Sequence, residues 1–166
     1  KRQVIGTKAM DANVAGDESI AIGDQALTNM NPSGNVDMFN LAVGHSAGKA
    51  CTVGIKNTIL GNYALFTDDT GSGSVAVGYK ALYAQDPSSA TDMHNVAVGE
   101  ESAVALTTGN RNTIIGQGTA GTLTTGASNV IIGRSADVGG ADNDFSIVIG
   151  SGAVSYTHLR AHETEA

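Results

Sequence analysis

The apolar positions of this chain fall in runs of three or four residues, each closed by glycine and flanked by small polar residues. The phrase SIAIGDQAL occupies 19–27, NTILGNYAL 57–65, SVAVGYKAL 74–82 and NVAVGEESA 95–103. Anchored on its glycine, the phrase recurs at Gly6, Gly23, Gly44, Gly61, Gly78, Gly99, Gly116, Gly133 and Gly150, with spacings of 17, 21, 17, 17, 21, 17, 17 and 17. Runs this short, rich in Val and Ile and bounded by Gly, Asn and Ser, predict strands and exclude helices. A fixed period of this kind marks a stacked repeat architecture.

Each copy carries the same chemistry. A large aliphatic residue precedes the glycine every time, from Ile5 and Ile22 to Ile132 and Ile149. One place earlier stands Ala or a β-branched residue: Val4, Ala21, Ala42, Ile59, Ala76, Ala97, Ile114, Ile131 and Val148. Four places before the glycine lies Asn or Ser in every copy but the first, which has Arg2. That polar residue suits a tight bend, because its side chain can bond nearby backbone. A small residue follows the glycine by three, and a second glycine (Gly16, Gly54, Gly71, Gly109 or Gly126) often precedes the Asn or Ser by three. One strand, a turn at the glycine, a second short strand through the following "xxAL" and a loop make one coil. The expected fold is all-β: a parallel β-solenoid, or β-roll, of about nine coils with period 17 and two 21-residue coils. At the usual strand spacing of about 4.8 Å, nine coils give a rod of roughly 40 Å.

The two long coils each hold one proline, Pro32 or Pro87, and end alike, in VDMFN at 36–40 and TDMHN at 91–95. The insertions at 28–39 and 83–94 are therefore expected on one edge, three coils apart. Asp37, Met38, Asp92 and Met93 are the candidate displayed loop residues. Alternation along a strand turns the residue before glycine and the one three before it to one face, and the intervening residue to the other. Both faces are apolar, whereas one solenoid has one inside, so the second face is expected against another chain. Ala21, Ala42, Ala76 and Ala97, being small enough for close approach, are the expected trimer interface.

Composition narrows the rest. The chain of 166 residues has 41% hydrophobic but only 4% aromatic residues, so small aliphatic side chains must fill its core. A net charge of −7 without any basic run excludes a nucleic-acid surface. The single cysteine, Cys51, cannot form an intrachain disulfide and aligns with Leu106 and Leu123, so it reads as a small buried hydrophobe. No signal peptide or membrane span is evident, and the repeat is already under way at residues 2–6, so the start is expected to lie upstream.

The wording N-x-A-V-G-x-x-A-L followed by L-T-T-G-x-x-N, seen best at 95–112 and 112–129, resembles two families across residues 3 to about 154. One is the head domain of YadA-like trimeric autotransporter adhesins, a left-handed parallel β-roll. The other is the repeat shaft of tailed-phage tail fibres, which period 17 and the Tyr79-Lys80-Ala81-Leu82 wording resemble more closely. Both resemblances imply a homotrimer that attaches a virion or bacterium to a surface, and neither domain is an enzyme. The function implied is a structural and adhesive segment of a phage tail fibre, extracellular, with a host receptor that is a glycan or a protein. The alternative is the adhesin head on a bacterial outer surface. No cofactor and no membrane contact are implied for this segment. The later copies depart by replacing the small strand residue with Ile114, Ile131 and Val148, so coil packing is expected to change toward the C-terminus.

Other chemistry is weaker. VIIGRSADVG at 130–139 resembles the hexapeptide of left-handed β-helix acyltransferases, with His45 or His94 as an imagined base, but the period is wrong and this remains a distant alternative. An ice-binding face would need threonine arrays, and only Thr58 and Thr113 lie in the strand phrase. GGADNDF at 139–145 resembles a calcium nonapeptide through Asp142 or Asp144, yet stands alone; a surface loop is preferred. HLRAH at 158–162 places His158 and His162 four apart, as in a helical metal pair. The tail 155–166 leaves the repeat abruptly and resembles translated sequencing-adapter DNA, so the solenoid domain is set at 1–154 and no metal is assigned.

Overall fold

The computed structural model of the chain describes residues 1–154. The tail 155–166, with the His158 and His162 pair, lies outside the described residues. Nine three-residue strands form one parallel sheet: Gln3–Ile5, Ile20–Ile22, Leu41–Val43, Thr58–Leu60, Val75–Val77, Val96–Val98, Thr113–Ile115, Val130–Ile132 and Ile147–Ile149. Each pairs in register with the equivalent strand of the next coil, Ala76 beside Ala97 and Ala97 beside Ile114. The fold is the parallel β-solenoid expected, and no helix occurs among the described residues.

What keeps the strands short is backbone conformation at both ends. The residue before the Asn or Ser is left-handed in eight coils, for example Lys56 (φ 60°) and His94 (φ 51°). At the other end the repeat glycine takes φ between 132° and 141° in all nine coils. A Cβ on Gly78 would sit on the carbonyl of Gly99 in the next coil, so the glycine row runs where backbone stacks directly on backbone. Both conditions need glycine at once.

The second strand through xxAL does not form. In the first seven coils the second and fourth residues after the glycine are left-handed, as in Tyr63 (φ 59°) and Leu65 (φ 48°), or Lys80 (φ 55°) and Leu82 (φ 51°). The segment still climbs from coil to coil through backbone bonds, Leu65 N–H to the Ala81 carbonyl at 2.9 Å and Leu82 N–H to Ser102 at 3.0 Å. Alternating left-handed residues turn the chain through a corner that a pleated strand could not make in so few residues. Non-glycine residues in this region carry a strain of about 1–3 kcal/mol each. The ladder of bonds on each side offsets it.

The interior explains the repeat letters. From the second coil to the eighth, the residue two before glycine, the small residue three after it and Leu27, Leu65 and Leu82 four after it point inward and are fully buried. Volume is exchanged between these positions. Where the strand residue grows from Ala97 to Ile114, the inward residue four after the glycine of the preceding coil shrinks from Leu82 to Ala103. Ile59 likewise fills the space left by Gly48 of the preceding coil, where a Cβ would stand 2.6 Å from its Cδ1. The C-terminal change in packing is thus a redistribution of volume within a close-packed core.

The Asn row does more than turn the chain. Asn40, Asn57, Asn95, Asn112 and Asn129 are buried, and each side-chain oxygen accepts the backbone N–H of the Asn or Ser one coil on, at 2.8–2.9 Å. Their amides donate to the carbonyls of Gly54, Gly71, Gly109, Gly126 and Asn143. Among the described residues no buried side-chain N or O atom is left without a partner. Serine at positions 19, 74 and 146 interrupts the row without breaking the coil.

Candidate functional site

The outward face of the sheet is an apolar surface that the packing within one chain does not account for. It carries two rows, the residues three before and one before each glycine. Both rows are aliphatic except for Gln3, Thr58 and Thr113, and neither carries a charge. Ile22, Leu60 and Ile115 expose 36%, 47% and 38% of their surface, and Val75, Val77, Val96 and Val98 are half-buried by their in-row neighbours alone. Soluble surfaces seldom present a continuous apolar strip of this kind without a partner.

The assignment of faces is the reverse of the expectation. Ala21, Ala42, Ala76 and Ala97 have no exposed surface in the single chain, so they line the coil and no second chain can reach them. Their smallness answers to the large inward leucines opposite. The exchange of volume between Leu82 followed by Ala97 and Ala103 followed by Ile114 was a sequence signal that these two positions share one interior.

The insertions occupy equivalent places three coils apart, each returning to the preceding coil through a two-residue parallel pairing, Gly16–Asp17 with Val36–Asp37 and Gly71–Ser72 with Thr91–Asp92. Asp37 and Asp92 are exposed as expected. Met38 and Met93 are not displayed: both are completely buried, because alternation after the short pairing turns the residue following each aspartate inward. They act as plugs that close the wider coils.

Cys51 is buried as expected, and burial foremost, with Asp68 nearby, pushes its thiol up to about 12, which keeps it protonated at neutral pH. His45 and His94 are not brought together: His45 lies just past the glycine corner against Asp24 (3.4 Å), and His94 precedes the strand and packs over Gly73. Asp142 and Asp144 are exposed, and an Asp144 oxygen accepts the Ala127 N–H at 2.6 Å. No group of three acidic, His or Cys side chains with metal-site geometry occurs among the described residues.

Two features escaped the sequence reading. Tyr63, Phe66, Tyr79 and Tyr83 gather on the face that follows the glycine corner. Phe66 and Tyr83 stack with centroids 5.2 Å apart and planes within 1°, and Tyr63 meets Tyr79 edge-on at 6.1 Å. Lys49 and Lys80 stand 5.6 and 5.2 Å from the Phe66 and Tyr79 centroids. The spacing of 17 between 66 and 83 was the available signal. The other is Asp68, buried among Gln85 and the Gly71 N–H, whose carboxyl burial raises to about 6.

The fold and this surface define a parallel β-solenoid with an apolar sheet face that none of the described residues covers. No family model, no curated protein and no solved structure matches the chain.

Proposed function

We propose that the chain is a stiff, adhesive segment of a homotrimeric extracellular fibre, most closely that of a phage tail fibre serving host attachment. The observation that carries this reading is the uncharged, aliphatic sheet face that runs the length of the solenoid and that none of the described residues covers. Three such faces turned toward a common axis would bury all of them at once, and a closed three-fold arrangement leaves no strip exposed to drive further aggregation. The period of 17 and the Tyr79–Leu82 wording support a tail-fibre shaft as the owner. Its role would be mechanical and multivalent: a rod of stacked coils presents the same kind of surface three times, and avidity multiplies weak contacts.

The test is the molar mass in solution by light scattering at high micromolar concentration. Three times the 16.7 kDa chain mass is expected. A folded monomer would overturn the proposal.

A further inference from the structure

The apolar strip is too narrow to hold three chains by itself. Its roughly 400 Å² per chain is shared between two neighbours, against about 800 Å² that each partner buries in a standard stable interface. The margins of the sheet must therefore be covered as well, and they differ in charge. One margin is the column of residues just before the Asn or Ser. It climbs through bonds such as Arg111 N–H to the Met93 carbonyl at 2.7 Å and Ser128 N–H to the Asn110 carbonyl at 2.9 Å. The other margin is the column of residues directly after the repeat glycine. From the coil of Gly61 to that of Gly116, the first margin holds the cations Lys56 and Arg111 and no acid, while the second holds the acid Glu100 and no cation. Arg111 and Glu100 are both exposed. Among the described residues the Arg111 guanidinium meets only the Asn110 side-chain oxygen, at 3.4 Å, and the Glu100 carboxylate forms no hydrogen bond or ion pair.

We propose that Arg111 of each chain pairs with Glu100 of a second copy, at the three edges where neighbouring sheets meet. The inference rests on the three-fold assembly proposed above and names the contact that closes it. Rotation about an axis along the stack preserves strand direction and coil height. The margin before the strand in one chain therefore meets the margin after the glycine in the next, and each contact occurs three times. Glu100 closes the sheet segment of one coil and Arg111 opens that of the following coil. Their heights differ by no more than one strand spacing, about 4.8 Å, which an arginine side chain spans. At the same offset Phe145 meets Arg134, a ring against a guanidinium. The acids Glu18 and Asp24, on opposite margins of the second coil, are each engaged already, by the N-terminal amine at 3.0 Å and by His45 at 3.4 Å. The planar guanidinium can hold a carboxylate through two parallel bonds, which fixes register as well as attraction. A neighbour displaced by two coils would bring Arg134 to Arg111 instead, and that like-charge contact counts against the wrong register.

The experiment is sedimentation equilibrium of the full chain over a concentration series, with circular dichroism to show that each variant is folded. Arg111→Glu and Glu100→Arg should each raise the concentration of half-assembly at least about tenfold, because each sets like charges together at all three edges. The double variant, which restores an opposite pair in reverse, should return to within about threefold of the parent. Lys49→Glu makes the same change of charge away from both margins and should assemble like the parent. Single variants that assemble at the parent's concentration, or a double variant no better than the singles, would overturn the inference. A monomeric parent removes the fibre reading and this contact together, whereas a trimeric parent indifferent to Arg111→Glu removes only the contact.

Discussion

Replacing Val98 with glutamate puts a carboxylate in the middle of the outward sheet face, while the same change at its neighbour Ala97 puts it inside the coil. The two rows lie about 7 Å apart, and with side-chain width the strip measures roughly 10 by 40 Å, or about 400 Å² per chain. Covering it is worth about 10 kcal/mol per chain at ~25 cal/mol per Å², before the cost of association. Three unpaired carboxylates brought together there would cost several kcal/mol each, enough to cancel most of that gain. Val98→Glu should therefore be a folded monomer at neutral pH by light scattering and circular dichroism. The glutamate would have a raised pKa in the trimer, so assembly should be present near pH 4 and be lost as pH rises through the raised value. Ala97→Glu should instead lose the solenoid signal itself, because Ala97 sits with no exposure between Ala76 and Ile114. Gln117→Glu, on an exposed site, should change neither property. A Val98→Glu chain that still assembles at neutral pH, or an Ala97→Glu chain that folds normally, would refute the assignment of faces.

Gly78→Ala should lower stability by at least about 3 kcal/mol, since φ is 132° and the Gly99 carbonyl blocks the new methyl, whereas Gly121→Ala, whose methyl would meet only ordinary contacts at 3.8 and 3.9 Å, should be tolerated; thermal melts compare them. Asn112→Ala removes bonds to the Gly126 carbonyl and to the Asn129 N–H, both 2.9 Å, and strands two backbone groups, so urea titration should show a loss of about 3–5 kcal/mol; a loss below about 1 would count against the ladder. Asp68 has a folded pKa of about 6, above its ordinary value, so its contribution to stability is fully present below about pH 4 and is lost as pH rises through 6. Asp68→Asn should abolish that part of the pH dependence in melts between pH 4 and 8, and an unchanged slope would refute it.

The repeat glycines and the in-register stacking were legible in the sequence because backbone-on-backbone contact tolerates no Cβ and leaves a residue signature at every period. That two apolar faces exist followed from alternation along each three-residue strand. Which face is inside did not, because Ala97 flanked by Val96 and Val98 reads equally well either way until the coil closes. The closure depends on left-handed residues such as Leu65 and Leu82, which have no compositional mark, since leucine has no preference for that conformation and the packing of its side chain imposes it. The same holds for Met38 and Met93, whose burial is fixed by two-residue pairings with the preceding coil, and for the stack of Phe66 on Tyr83, which two coils bring together. Local chemistry with a period determined the strands and the stack. Contacts between residues a coil or more apart decided inside from outside, and with it where a partner can touch this protein.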